Sequence, residues 1–148
     1  MTVLDSNNAQ HKIRLNAIDA PEIGQPFGQN SKQALSEICF NRQTFVRYVD
    51  TDRYGRIVGD VQCDGEDAST YLVTKGLAWV YDKYVGNYQH LYTYQKSAKN
   101  NELGLWSDRR PVPPWDWRDG VRTTTNQQNE DVGDRIEKAL EQVFRGLF

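Results

Sequence analysis

Apolar positions in this chain fall into short runs, and the period of those runs changes along its length. Thr2-Val3-Leu4 and His11 to Ile18 suit strands, and the turn-prone Asp5-Ser6-Asn7-Asn8 between them predicts a hairpin. Thr44 to Val49 is a β-branched and aromatic run, and Arg56 to Cys63 answers it across a turn at Asp50–Gly55. Asp64-Gly65 marks the next turn. Elsewhere helical spacing takes over. Ala34, Leu35, Ile38 and Cys39 follow an N-cap at Asn30 or Ser31. Ser69 to Lys75 fits a short helix closed by Gly76, and Leu77 to Tyr81 a further extended run. In Tyr88 to Asn101, Leu91, Tyr94, Gln95 and Ala98 share one helical face. Pro111, Pro113 and Pro114 then break the chain. Strands and helices cluster without βαβ alternation, which predicts an α+β, mainly β fold: a small antiparallel barrel with helices packed on it.

The end of the chain differs in kind. Thr123 to Asn129 is polar and of low complexity, after which Val132, Ile136, Leu140, Val143 and Leu147 form an amphipathic stripe. The organisation expected is a domain at 1–118, a polar linker at 119–130 and an amphipathic helix at 131–148. That stripe needs a partner: the domain itself, a second copy of the chain, or a further domain.

Composition narrows the class. At 148 residues, 38% apolar and 26% charged, one soluble domain with a real core is expected. No apolar run is long enough to span a membrane, and Thr2 to Asn8 shows no secretory leader. The compartment is left open, a secreted or periplasmic full-length protein included. Net charge is −2, and the acidic excess lies beyond residue 123, leaving 15 acids and 15 bases before it. That balance argues against broad polyanion binding but not against a local arginine cluster holding one phosphate. Cys39 and Cys63 have no metal-ligand spacing, so they are two buried thiols or one disulfide, the latter implying an oxidising compartment.

Candidate chemistry concentrates in Arg14-Leu15-Asn16-Ala17-Ile18-Asp19-Ala20-Pro21-Glu22, which places one fixed cation and two carboxylates within nine residues. Pro21 ends regular pairing, so Asp19 falls at a strand end and Glu22 on the loop after it. A surface strand with an ordinary salt bridge is the competing reading. The second stretch is Asp52-Arg53-Tyr54-Gly55-Arg56, where Gly55 permits a tight turn that presents Arg56. Arg14 and Arg56 could grip a phosphate from two strands, because a guanidinium fork donates paired hydrogen bonds and stays charged. Asp19 suits a hard cation and Glu22 a general base, which together make a phosphodiester-hydrolysis site chemically complete. Tyr54, Tyr81 and Tyr84 are candidates for stacking on bases. The four tryptophans fit packing better, His90 reads as a structural residue on a helix far from these stretches, and His11 as an exposed strand residue.

These two stretches resemble the site motifs of the staphylococcal nuclease (thermonuclease) family. Leu72 to Ala78, Gln89-His90-Leu91, Gly104-Leu105-Trp106 and Pro113-Pro114-Trp115-Asp116-Trp117-Arg118 follow in that family's order, so the likeness runs from about Thr2 to Arg118. The resemblance implies an OB-type five-stranded barrel with about three helices. It also implies calcium-dependent hydrolysis of DNA and RNA, single strands included, that leaves 3′-phosphates. Carried over by position, Arg14 and Arg56 clamp the phosphate, Glu22 is the general base, and Asp19 and the carbonyl of Ala20 are calcium ligands. Arg53, Tyr54 and Tyr84 are expected to contact substrate.

One departure stands out. The family's strand opens with Asp-Gly-Asp-Thr, and Met1 occupies the place of the second aspartate, a calcium ligand. Fewer carboxylates predict weaker calcium binding, and a shortened first strand predicts an exposed barrel edge that a second copy could cover. The alternative function is a non-catalytic OB-type module that binds nucleic acid or protein.

Overall fold

The computed structural model describes residues 1–122. The expected linker is described only as far as Arg122, and the expected helix at 131–148 lies outside the described residues. The strands are β1 (Thr2–Leu4), β2 (Gln10–Leu15), β3 (Ile18–Asp19), β4 (Thr44–Thr51), β5 (Ile57–Cys63), β6 (Glu66–Asp67) and β7 (Trp79–Val80). The helices are α1 (Gly28–Cys39), α2 (Ala68–Thr74), α3 (Leu91–Asn100) and α4 (Pro114–Arg118).

The fold is α+β. A mixed sheet in the order β1-β2-β5-β4, with β6 also on β5, curls into a half-barrel consistent with an OB-type fold. The antiparallel expectation is corrected at one pairing. β2 and β5 run parallel, with Ile13 opposite Ile57 and Arg14 opposite Val58. Parallel neighbours require a crossover, which β3, α1 and β4 supply. This pairing brings the strand of Arg14 beside the start of the strand after Arg56, although 42 positions separate the two arginines.

Several expected boundaries move for local reasons. The strand expected from His11 to Ile18 ends at Leu15, because buried Ala17 adopts a left-handed backbone at φ 64°. The chain then turns, and Ile18–Asp19 pair with Val80 and Trp79 instead. Helix α1 starts at Gly28, earlier than expected, and Ser31 does not cap it. Its buried hydroxyl donates to the carbonyls of Leu77 at 2.5 Å and Phe27 at 3.0 Å. Strand β4 runs on to Thr51 through a bulge between Tyr48 and Asp50, so the turn is confined to Asp52–Gly55. Helix α3 begins at Leu91, later than Tyr88.

Two apolar clusters hold these layers. One lies between the helices and the β3–β7 pair and includes Ile18, Leu72, Val73, Val80 and Leu91. The other fills the concave side of the sheet with Ile13, Val61, Cys63 and Ala68. Cys39 and Cys63 form a disulfide (S–S 2.08 Å) between the end of α1 and the end of β5, resolving the open alternative.

Candidate active site

The left-handed Ala17 and the β3–β7 pair turn the chain so that Asp19 closes a short strand and Glu22 begins the loop into α1. That loop is clamped. The Glu22 amide donates to Gln25 Oε1 at 3.1 Å, and the Gln25 and Gly28 amides close turns onto the carbonyls of Glu22 and Gln25. A Cβ at Gly28 would lie 1.8 Å from the Glu22 carbonyl oxygen, so only glycine lets α1 start against this loop. Gln25, itself buried, donates Nε2 to the carbonyl of Val112 at 2.6 Å. One side chain thereby ties the Glu22 loop to the proline segment leading into α4.

Arg14, Asp19, Ala20, Glu22, Arg53, Tyr54, Arg56 and Tyr84 all line a single open cleft. Within it the Arg14 guanidinium lies 5.5 Å from the Tyr81 ring centre and 4.9 Å from that of Tyr84, cation–π distances. Its Nη1 is buried and makes no hydrogen bond among the described residues. A charged donor left in that state favours an anion. Arg56 is held differently. Asp52 accepts from its Nε at 2.6 Å and from its backbone amide at 2.9 Å. Burial alone would raise the Asp52 carboxyl, but these bonds and one from the Tyr54 amide bring it below its usual value. Fixing Arg56 by Nε leaves the two terminal nitrogens without a protein partner among the described residues. Arg53 and Arg56 flank the exposed Tyr54 ring at 4.9 and 5.7 Å.

Arg118, read from the sequence only as part of a family ending, also lines this cleft and reaches Asp19 and Glu22. Its Nη2 donates to Asp19 Oδ2 at 2.6 Å, and its Nη1 to Glu22 Oε1 at 2.7 Å and Asp19 Oδ1 at 3.3 Å. The Asp19 bonds, opposed by partial burial and reinforced by Glu22, push this guanidinium above its ordinary value. The only signal in the sequence was a lone arginine closing an aromatic run. Nothing local told that it returns to residues 96 and 99 positions earlier. The aromatic run brings it there. Trp115 stacks on Tyr81 with ring centres 5.0 Å apart and planes 6° apart, and its edge meets Trp79.

Asp19, the Ala20 carbonyl and Glu22 offer hard oxygen donors, the chemistry a calcium ion takes. Among the described residues, however, no group of three or more acidic, histidine or cysteine side chains is placed to hold a metal. Arg118 supplies the positive charge at the carboxylates. Asp5 stands apart: it folds back on its own hairpin, bonded to His11 Nε2 at 2.9 Å and to two backbone amides, which hold its carboxyl below its usual value.

The sequence model of the family described as Staphylococcal nuclease homologue matches residues 12–108. An Oryza sativa subsp. japonica protein described as a probable staphylococcal-like nuclease is 40% identical over 116 residues, covering 78% of this chain and 35% of its own length. An uncharacterized endonuclease of Escherichia coli is 42% identical over 117 residues, covering 78% of this chain and 75% of that protein. A micrococcal nuclease of Shigella flexneri is 36% identical over 131 residues, covering 81% and 75% respectively. The chain thus spans about a third of the plant relative and three quarters of the bacterial ones. Family match, bacterial relatives and fold agree: the chain belongs to the staphylococcal nuclease homologue family.

Proposed function

We propose that this chain is a calcium-dependent nuclease that hydrolyses phosphodiester bonds in DNA or RNA, single strands included, to 3′-phosphate products. The observation that carries the reading is that Arg14, Asp19, Glu22 and Arg56 all face one broad open concavity, with a buried Arg14 nitrogen that makes no hydrogen bond among the described residues. The nuclease names of the relatives support it.

In this scheme Arg14 and Arg56 bind the non-bridging phosphate oxygens and offset the charge that grows on them. Glu22 takes a proton from a water that attacks phosphorus. The bond to the 5′-oxygen breaks while Arg14 and Arg56 offset the charge on that oxygen, which takes a proton from solvent as Glu22 returns its own to solvent. Asp19 and the Ala20 carbonyl would hold calcium, which when bound adds positive charge beside the phosphate. Arg53, Tyr54 and Tyr84 would receive the flanking nucleotides, the tyrosines by stacking. A neutral binding module has no need of two carboxylates and two arginines on one open face.

Digestion of labelled single-stranded DNA, with calcium and with chelator, tests the reading. Glu22→Gln is expected to lower turnover by about two to four orders of magnitude, the worth of a general base, with DNA affinity nearly unchanged. A parent chain that binds the DNA without cutting it would leave the binding-module alternative standing.

A further inference from the structure

We propose that Arg118 is a tethered internal cation that competes with calcium for Asp19 while also pairing with Glu22, so that calcium enters only as the Arg118 side chain swings away. The inference rests on the calcium part of the reading above. Its basis is geometric: one guanidinium fork engages both Asp19 oxygens and Glu22 Oε1 at 2.6–3.3 Å. A divalent cation at Asp19 would have to share these oxygens with the guanidinium, and two cations at one pair of carboxylates repel.

The arm that carries Arg118 is built to arrive there. Gln25 holds it at the Val112 carbonyl, Pro114 is buried, and Trp115 lies flat on Tyr81. These anchors precede Arg118 by three residues or more. Its side chain is 42% exposed, so it can swing out while the anchors stay in place. A surface arginine paired by chance would show neither the two-carboxylate fork nor an anchored approach. The guanidinium offsets one of the two negative charges of Asp19 and Glu22 without metal, and its release is linked to metal entry. An affinity measured for calcium is then an intrinsic affinity reduced by the fraction of molecules in which Arg118 has let go.

Calorimetric titration of CaCl2 into the unmodified chain, Arg118→Lys and Arg118→Gln, without nucleic acid, tests this. Arg118→Gln is expected to bind calcium about three- to tenfold more tightly, the range of a partly exposed ion pair, with Arg118→Lys between it and the parent. In the unmodified chain, the Arg118 side-chain nitrogen resonances should shift as calcium is added, which a merely structural arginine would not show. Equal or weaker calcium binding by Arg118→Gln, or unmoved Arg118 resonances at saturating calcium, overturns the proposal alone. No calcium binding by any of the three chains overturns it together with the calcium reading. Both outcomes are independent of whether DNA is cut.

Discussion

At Asp60 three donors converge on one carboxylate: Asn16 Nδ2 at 3.1 Å, the Tyr88 hydroxyl at 2.5 Å and Arg47 Nη2. Burial would raise this carboxyl, but the three donors together hold it below its usual value. A carboxylate depressed in the fold adds stability that is complete above its unfolded value near pH 4, and that stability drains as pH falls through the folded value. Asp60→Asn is therefore expected to cost about 1–3 kcal/mol at pH 7, and the gap to the parent should narrow toward pH 3. Urea unfolding at both pH values measures it. Nothing in the sequence set Asp60 apart from other polar strand residues, because its partners come from the residue after β2, from β4 and from the loop before α3. Arg14, Asp19, Glu22 and Arg56 were legible for the opposite reason. Arg14 sits on a strand legible from its alternation, and Asp19, Glu22 and Arg56 sit beside Pro21 or Gly55, whose turn chemistry places them at a strand end or on a loop.

At the scale of elements, the join between α2 and the turn at Gly104–Ser107 depends on two glycines meeting backbone to backbone. Gly76 and Gly104 have φ of +69° and +53°, and a Cβ at Gly76 would lie 2.2 Å from the Leu103 carbonyl oxygen. The Leu105 amide completes the contact by donating to the Gly76 carbonyl at 2.9 Å. Gly76→Ala should cost at least about 2 kcal/mol, since strain in a left-handed backbone and overlap both act. Gly24→Ala, with nothing within 4 Å of its Cβ, should stay within about 0.5 kcal/mol. Thermal unfolding of the two variants separates these outcomes. Gly76 was readable as a helix stop, but its second duty at Gly104 was not, since a stop signal says nothing about what packs on it. The parallel β2–β5 pairing escaped for the same reason: a period of two announces a strand and leaves its neighbour and direction open. Where a boundary shifted, as at Ala17, a non-glycine residue had taken a left-handed backbone that only the tertiary contacts of β3 and β7 support.

For the molecule as a whole, the Cys39–Cys63 bridge closes a loop of 24 residues that holds all of β4. Loop-closure entropy alone gives it about 3.5 kcal/mol, so reduction should lower the melting temperature by roughly 10 °C. Melting with and without reductant checks this, and a double serine variant should melt like the reduced chain. Spacing could not choose between thiols and disulfide, because the choice depended on whether α1 ends over β5. The Asp19–Arg118 contact has a different consequence, one of timing. It joins positions 99 residues apart, and chains are made from the amino terminus at about 5–20 residues per second. A growing chain thus carries Asp19 for on the order of five to twenty seconds before the arginine that pairs with it has been made.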